Sequence, residues 1–224
     1  MMKRTALVVG ATGLIGKELV KLLIEHPQYE RVDIWVRRPS GVIHPKLTER
    51  IINFDALRDI EIITPFHDVF CCLGTTIKKA KSIDQFKKAD LEYPLELARI
   101  AVSNRAEHFL VISAIGANAE SSVFYNQVKG ELEAEIQTLR LPRLSIFRPS
   151  ILLGKREEFR LGEKLGIIAV SLFKFLLQGK LRRYRGIKAA DVANAMVRAA
   201  LKGQKESVTI YESDEIWLLS MEEI

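Results

Sequence analysis

The sequence predicts an α/β fold built on a doubly wound parallel sheet, on three observations. Strand-like apolar runs alternate with stretches of helical period from the first residues onward, the pattern of βαβ units. A glycine-rich turn separates the first run from the first helix. The 224 residues, 48% apolar and 28% charged, suffice for a sizeable core and match neither a disordered nor a collagen-like chain. That length suits one domain over residues 1–224, with the part from about 150 to 224 as a small C-terminal elaboration.

Each element has its own signal. Thr5 to Gly10 is a buried first strand, and Gly13 to Glu25 carries Leu14, Leu19, Leu22 and Leu23 at helical spacing until His26-Pro27 stops it. Arg31 to Val36, Thr48 to Phe54 and Asp68 to Leu73 are strands two to four, the last followed by the loop Gly74-Thr75-Thr76. Ser82 caps a long helical segment, Ile83 to Arg105, which Pro94 is expected to kink. His108 to Ser113 is strand five, Val123 to Leu139 a helix with Leu132 and Ile136 on one face, and Leu144 to Phe147 strand six, closed by Pro149. Beyond it the pattern loosens into an apolar helix over Leu165 to Leu177, a helix over Asp191 to Leu201, a strand over Val208 to Tyr211 and a short helix over Ile216 to Met221.

Charge and cysteines narrow the setting. The 34 Lys+Arg against 28 Asp+Glu leave a formal charge of +6, which concentrates anionic ligands of any kind near the surface. Cys71 and Cys72 are adjacent in an apolar run, where a vicinal disulfide would be badly strained, so a reducing cytoplasm is expected. Lys3-Arg4 followed by Thr5 to Ile15 imitates a leader, but Gly10 and Gly13 interrupt it, Gly16 ends it, and no small-residue cleavage site precedes Lys17 and Glu18. The run Leu165 to Leu177 is broken by Lys174 and falls short of the roughly 20 residues that cross a bilayer, so no membrane association is expected.

Gly10-Ala11-Thr12-Gly13-Leu14-Ile15-Gly16 lies between the first strand and the first helix, with the spacing G-x-x-G-x-x-G. In that context glycines serve a tight turn, a close backbone approach to a pyrophosphate and helix–strand packing, and the helix N-terminus supplies N–H donors. The turn is therefore of the Rossmann type and is expected to bind a dinucleotide through Gly10, Thr12, Gly13, Leu14, Ile15 and Gly16.

At the end of strand two, where an acidic residue would grip a ribose 2′-hydroxyl, stand Arg37 and Arg38. Guanidinium groups accommodate the 2′-phosphate instead, so the expected cofactor is NADP(H). Asp55, just after strand three, is positioned for adenine or for a turn cap, and Leu73, Gly74 and Thr75 for the pyrophosphate and ribose, all at the carboxyl edge of the sheet.

Ser113 ends strand five, and Tyr125 and Lys129 follow four residues apart on one helix face. A free tyrosine titrates at about 10, so acid work near neutrality needs a nearby positive charge. Lys129 would supply it and also hold the nicotinamide ribose; Tyr125 would protonate the forming alkoxide; Ser113 would hydrogen-bond the carbonyl oxygen.

Beyond GATGLIG, the segments VRRP (36–39), CLGTT (72–76), ISAIGANAESS (112–122), FYNQVKGELE (124–133) and FRPSILLGKREEFRLGE (147–163) resemble the atypical short-chain dehydrogenase/reductases, in the branch typified by the human Tat-interacting protein oxidoreductase. The resemblance covers most of the chain. It implies that Leu152 and Arg160 lie close to the nicotinamide half of the cofactor, that DVANAM (191–196) is the helix closing many extended members, and that residues past 150 form the substrate side. The sequence departs from many members in its glycine spacing and in offering no identifiable proton-relay asparagine.

The remaining features read as structural. His108, without Cys, Asp or Glu at metal spacing, is a packed core histidine, and no metal is expected. Lys78, Lys79 and Lys81 are a solvated loop, and no aromatic platform or recognition helix accompanies the charge, so no nucleic acid is expected. The stretch Ile167 to Leu177, where related folds place the substrate lid, suits pocket lining, the face of a homodimer or core, with core or lid preferred. Two functions follow: an NADPH-dependent reductase of a small carbonyl or enone-like substrate, and a dinucleotide sensor acting through a protein partner. The intact Ser113, Tyr125 and Lys129 favour the enzyme.

Overall fold

The computed structural model describes residues 3–60, 65–153, 179–203 and 206–222. In chain order the strands are β1 (Arg4–Val9), β2 (Tyr29–Val36), β3 (Leu47–Ile51), β4 (Asp68–Cys71), β5 (His108–Ile112), β6 (Leu144–Arg148), β7 (Leu152–Leu153), β8 (Ile187–Lys188) and β9 (Val208–Glu212). The helices are α1 (Leu14–Glu25), α2 (Ile77–Ala80), α3 (Ile83–Lys87), α4 (Tyr93–Ser103), α5 (Phe124–Gln137), α6 (Ala189–Leu201) and α7 (Ser213–Met221). Seven strands form one parallel sheet in the order β3-β2-β1-β4-β5-β6-β9, and β7 pairs with β8 in a separate parallel ladder.

The apolar runs follow from two covered faces. Alternate residues of a strand point to opposite sides, so a central strand between two helix layers must be apolar throughout. Accordingly Ala6 and Val8 of β1 pack with α1, α6 and α7, while Leu7 and Val9 pack with α4 and α5. The edge strand β3 is exposed from Thr48 to Ile51, and its charged Glu49 and Arg50 guard it against pairing with another chain.

The strand order reverses at β1, with β2 on one side and β4 on the other. The loops leaving β1 and β4 therefore diverge and leave a crevice at the carboxyl edge, where open α/β sheets bind ligands.

Several boundaries differ from the sequence reading. Strand three ends at Ile51 rather than Phe54, because Asn53 caps a 3-10 turn over Phe54–Asp59, its side chain accepting from the Asp55 N–H at 3.1 Å. The segment expected as one kinked helix from Ile83 is α3, a π turn over Lys88–Glu92, and α4. Pro94 then sits in the first turn of α4, where its missing N–H costs nothing. The three lysines expected in a loop flank and enter the short helix α2, capped by Thr76. The stretch 165–177 and Arg160 lie outside the described residues.

The opposite edge carries a buried polar belt. Asp68 is fully buried, accepts from Arg4 at 2.7 and 2.9 Å and from the Tyr29 hydroxyl at 2.7 Å, and so ties the first residues of β1, β2 and β4 together. His108 is buried at the start of β5, with Nε2 2.9 Å from Ser145 Oγ of β6. Burial, with Arg143 and Arg4 nearby, pushes His108 down to about 3.

Because the folded pKa lies below the ordinary value, the unfolded chain binds more protons on acidification, and stability falls as pH drops below about 6.5. Between pH 7 and 5 this contributes a loss of up to about 2 kcal/mol. Urea unfolding should show that loss in the wild type and a flatter profile over the same interval in His108→Gln; parallel profiles would contradict it.

Candidate active site

The glycine turn is shaped by close approach. Gly10 has φ +89°, and a Cβ there would lie 2.5 Å from the Cys72 carbonyl group, so the two diverging loops touch at a position only glycine occupies. Gly13 donates to the Gly10 carbonyl at 3.0 Å and begins α1. A Cβ on Gly16 would lie 2.2 Å from the Gly10 oxygen, which presses the first turn of α1 onto the strand end. The helix has no side-chain cap and no acidic residue in its first turn, so within that turn nothing opposes its leading N–H groups and positive dipole end. Thr12 is exposed, Leu14 half-buried and Ile15 buried. This cradle fits a pyrophosphate.

Arg37 and Arg38 follow β2 directly, beside the glycine turn, and are exposed. Among the described residues neither guanidinium takes part in an ion pair. A cleft of about 300 Å³ opens between α1 and the chain after β2, lined by Ala11, Thr12, Lys17, Ser40 and Val42 over an apolar floor. Asp55 is exposed, and its Oδ1 accepts from Lys88 Nζ at 2.9 Å and from the Tyr93 hydroxyl at 2.8 Å. These two donors and the charge of Lys88 hold its carboxyl below the usual range. The side chain thus ties the turn after β3 to the start of α4.

Three elements meet below the crevice. Leu73, Gly74 and Thr75 continue from β4, and the Thr75 N–H donates to Asp90 Oδ2 at 2.7 Å. Lys129, on the inner face of α5, places Nζ 2.8 Å from Asp90 Oδ1 and 3.5 Å from the Ile112 carbonyl at the end of β5. Burial alone would pull this ammonium down, but Asp90 and Tyr125 outweigh it, and Lys129 is held above the ordinary lysine range. One turn earlier on α5, Tyr125 is half-buried with its ring 5.8 Å from that of Phe86.

Ser113 is buried, and its hydroxyl donates to Glu133 Oε1. Glu133 in turn accepts from Arg148 Nε at 3.0 Å and Nη2 at 2.5 Å, and Arg148 Nη1 reaches Glu212 at 3.0 Å. The one proton of Ser113 is thus committed to a carboxylate. Holding a substrate carbonyl, the role expected from sequence, would require it to leave Glu133. Leu152 is half-buried on β7, and Arg160 lies outside the described residues. Among the described residues no group of three or more His, Cys, Asp or Glu side chains could hold a metal ion.

Of the residues expected from sequence, Tyr125 and Lys129 lie one turn apart on α5 and the glycine turn lies at the carboxyl edge of β1; Asp90, Glu133 and Arg148, which the sequence reading left out, join Lys129 and Ser113 there. Glu133 had a signal, since it stands four residues after Lys129 on the same helical face. Asp90 had a fainter one, four residues before a proline that frees its carbonyl.

The model of the NAD dependent epimerase/dehydratase family matches residues 6–217. Protein HTATIP2 of Rattus norvegicus is 37% identical over 169 residues, covering 74% of this chain and 69% of that protein. Protein FMP52-1, mitochondrial, of Scheffersomyces stipitis is 36% identical over 222 residues, covering 95% and 96%. Among solved structures, MoeE5 in complex with UDP-glucose and NAD matches with a TM-score of 0.67 at 15% identity, covering 96% of this chain and 80% of that one. Human epimerase family protein SDR39U1 with NADPH matches with a TM-score of 0.59 at 18% identity, covering 92% and 73%; at such identities the likeness is one of fold.

The relatives correct one expectation. FMP52 proteins from three yeasts are named mitochondrial, which overturns the cytoplasmic placement drawn from Cys71 and Cys72. The physical reason is that free thiols report a reducing environment and not which compartment supplies it. With the Rossmann-type sheet, the glycine cradle and these matches in agreement, the chain belongs to the NAD dependent epimerase/dehydratase family, as an atypical short-chain dehydrogenase/reductase of the HTATIP2-like branch.

Proposed function

We propose that the chain is an NADP(H)-dependent oxidoreductase that reduces a small carbonyl or enone-like substrate. The observation that carries this reading is the placement of Tyr125 directly above a buried, charged Lys129, next to the loop that follows β4. Family membership supports a dinucleotide; the two exposed arginines after β2 favour the phosphorylated form, through their fit to a 2′-phosphate.

In this reading the N–H groups of the Gly10–Gly16 turn hold the pyrophosphate, Arg37 and Arg38 the 2′-phosphate, and Leu73, Gly74 and Thr75 flank the ribose. Asp55 meets the adenine side with the oxygen that Lys88 and Tyr93 leave open. The bound nicotinamide supplies the hydride. Tyr125 gives its proton to the alkoxide oxygen, and the Lys129 charge below stabilises the phenolate that remains. The C-terminal part that follows β6, Leu152 of β7 included, forms the substrate side of a single domain.

A second reading, a dinucleotide sensor acting through a protein partner, is favoured by the commitment of Ser113 to Glu133, which leaves the site short of one donor for a carbonyl oxygen.

Calorimetric titration should give NADPH at least about a tenfold advantage over NADH, and that advantage should vanish when Arg37 and Arg38 are both changed to alanine. Equal affinities in the wild type would refute the NADP(H) assignment. With NADPH and a panel of aldehydes, ketones and quinones, Tyr125→Phe should lower kcat by about 100-fold or more while leaving NADPH binding within about threefold. An unimpaired variant would remove Tyr125 from the chemistry, and a wholly inert panel with tight NADPH binding would give the sensor reading.

A further inference from the structure

The π turn over Lys88–Glu92 has an inverted pattern of burial. Its one buried residue is the acidic Asp90, while the apolar Leu91 beside it is only half-buried. Hydrophobic burial cannot account for a carboxylate facing inward, and a π turn inside a helical segment is a frequent mark of function. Both Asp90 oxygens are engaged, Oδ1 with Lys129 Nζ at 2.8 Å and Oδ2 with the Thr75 N–H at 2.7 Å.

We propose that Asp90 is a positioning residue of this site, the buried anion that keeps Lys129 an ammonium ion at a fixed point below Tyr125 and fastens it to the cofactor-side loop at Thr75. What Lys129 then does rests on the reading of the site as NADP(H)-dependent; the pairing itself does not.

The ion pair is closed off from water, with the Lys129 and Asp90 side chains 2% and 1% exposed. An ammonium ion buried without an anion loses its proton readily, since burial disfavours the charged form. Among the described residues, the titratable groups acting on Lys129 include Asp90 from the π turn, Tyr125 from its own helix and the Cys71 thiol at the end of β4. Burial pushes that thiol up to about 12, so it carries no charge at neutral pH. Among the described residues Asp90 is the one carboxylate within ion-pair distance of Nζ.

Geometry makes Asp90 a link as well as a counter-ion. A Cβ on Gly74 would stand 3.4 Å from Asp90 Oδ1 and 3.9 Å from Lys129 Nζ, so the backbone of the cofactor-side loop lies against the pair. One carboxylate thus sets both the height of the lysine and the course of the loop. An asparagine there turns one of the two oxygen positions into an NH2 donor, which would face either the Thr75 N–H or the Lys129 ammonium, and it carries no negative charge.

The test follows the lysine by NMR in protein labelled with ¹³C-lysine, with the Lys129 Cε resonance assigned from its absence in Lys129→Met. In the wild type this resonance should keep its ammonium position up to at least about pH 10. In Asp90→Asn its titration midpoint should fall by about two pH units or more, whereas Asp90→Glu, which keeps the anion, should stay within about one unit of the wild type. A structural role alone would leave the midpoint where it is. An unchanged midpoint in a folded Asp90→Asn, or a wild-type Lys129 that loses its proton below about pH 9, would overturn the proposal. Should Asp90→Asn not fold, the wild-type and Asp90→Glu titrations still decide it. NADPH titration separates the two readings: affinity should drop about tenfold in Asp90→Asn. A wild type that ignores NADPH sinks the cofactor reading while the lysine titration still judges the ion pair.

Discussion

The contact between Gly10 and the Cys72 carbonyl is where the sheet divides, and the rest of the structure is arranged around it. β1 sends its chain to one face and β4 to the other, yet the Cys72 N–H still donates to the Val9 carbonyl at 2.8 Å. The loops can part only if one backbone passes against the other with no side chain between them, which requires glycine at a positive φ. From that point α1 leaves with its first N–H groups unopposed, the chain after β4 runs toward Asp90, and the crevice between them is set by the backbone itself.

Among the described residues, two sets of buried polar groups lie at the two ends of the strands, and they do different work. At the amino ends Arg4, Tyr29 and Asp68 bind strand to strand, and His108 with Ser145 does the same one strand further along. Their hydrogen bonds run between neighbouring strands, so they hold register within an otherwise apolar sheet. At the carboxyl ends the networks cross between layers instead. Asp90 joins the π turn to α5 and the loop after β4, and Glu133 joins α5 to the end of β5 through Ser113 and to β6 through Arg148. Helix α5 is thereby fixed at two heights, one turn apart, around the lysine and tyrosine it carries.

That arrangement has a chemical consequence. Lys129 and Asp90 form a buried ion pair, so the charge that faces Tyr125 from its own helix is balanced beside it. Ser113, Glu133 and Arg148 form a second closed circuit whose proton is already placed. The second circuit is closed on itself and leaves no free proton on the Ser113 hydroxyl.

Much of the frame was legible in the sequence because its causes are local. The glycine spacing, the unbroken apolar runs of β1, β4 and β5, the arginines after β2, and Tyr125 and Lys129 one turn apart all follow from backbone period and from the chemistry of adjacent residues. Residues whose meaning depends on a distant partner were not legible. The break in the helical segment lets Asp90 face inward beside Pro94's helix start, to meet a lysine 39 positions after Asp90. Ser113 reads as a free hydroxyl until Glu133, 20 residues on, takes its proton. The short β7–β8 ladder joins residues with no strand signal of their own. Local period and turn chemistry determined where the chain extends, coils and turns; only the packed structure decided which buried charges meet, because the energy of a buried ion depends on the partner that folding brings beside it.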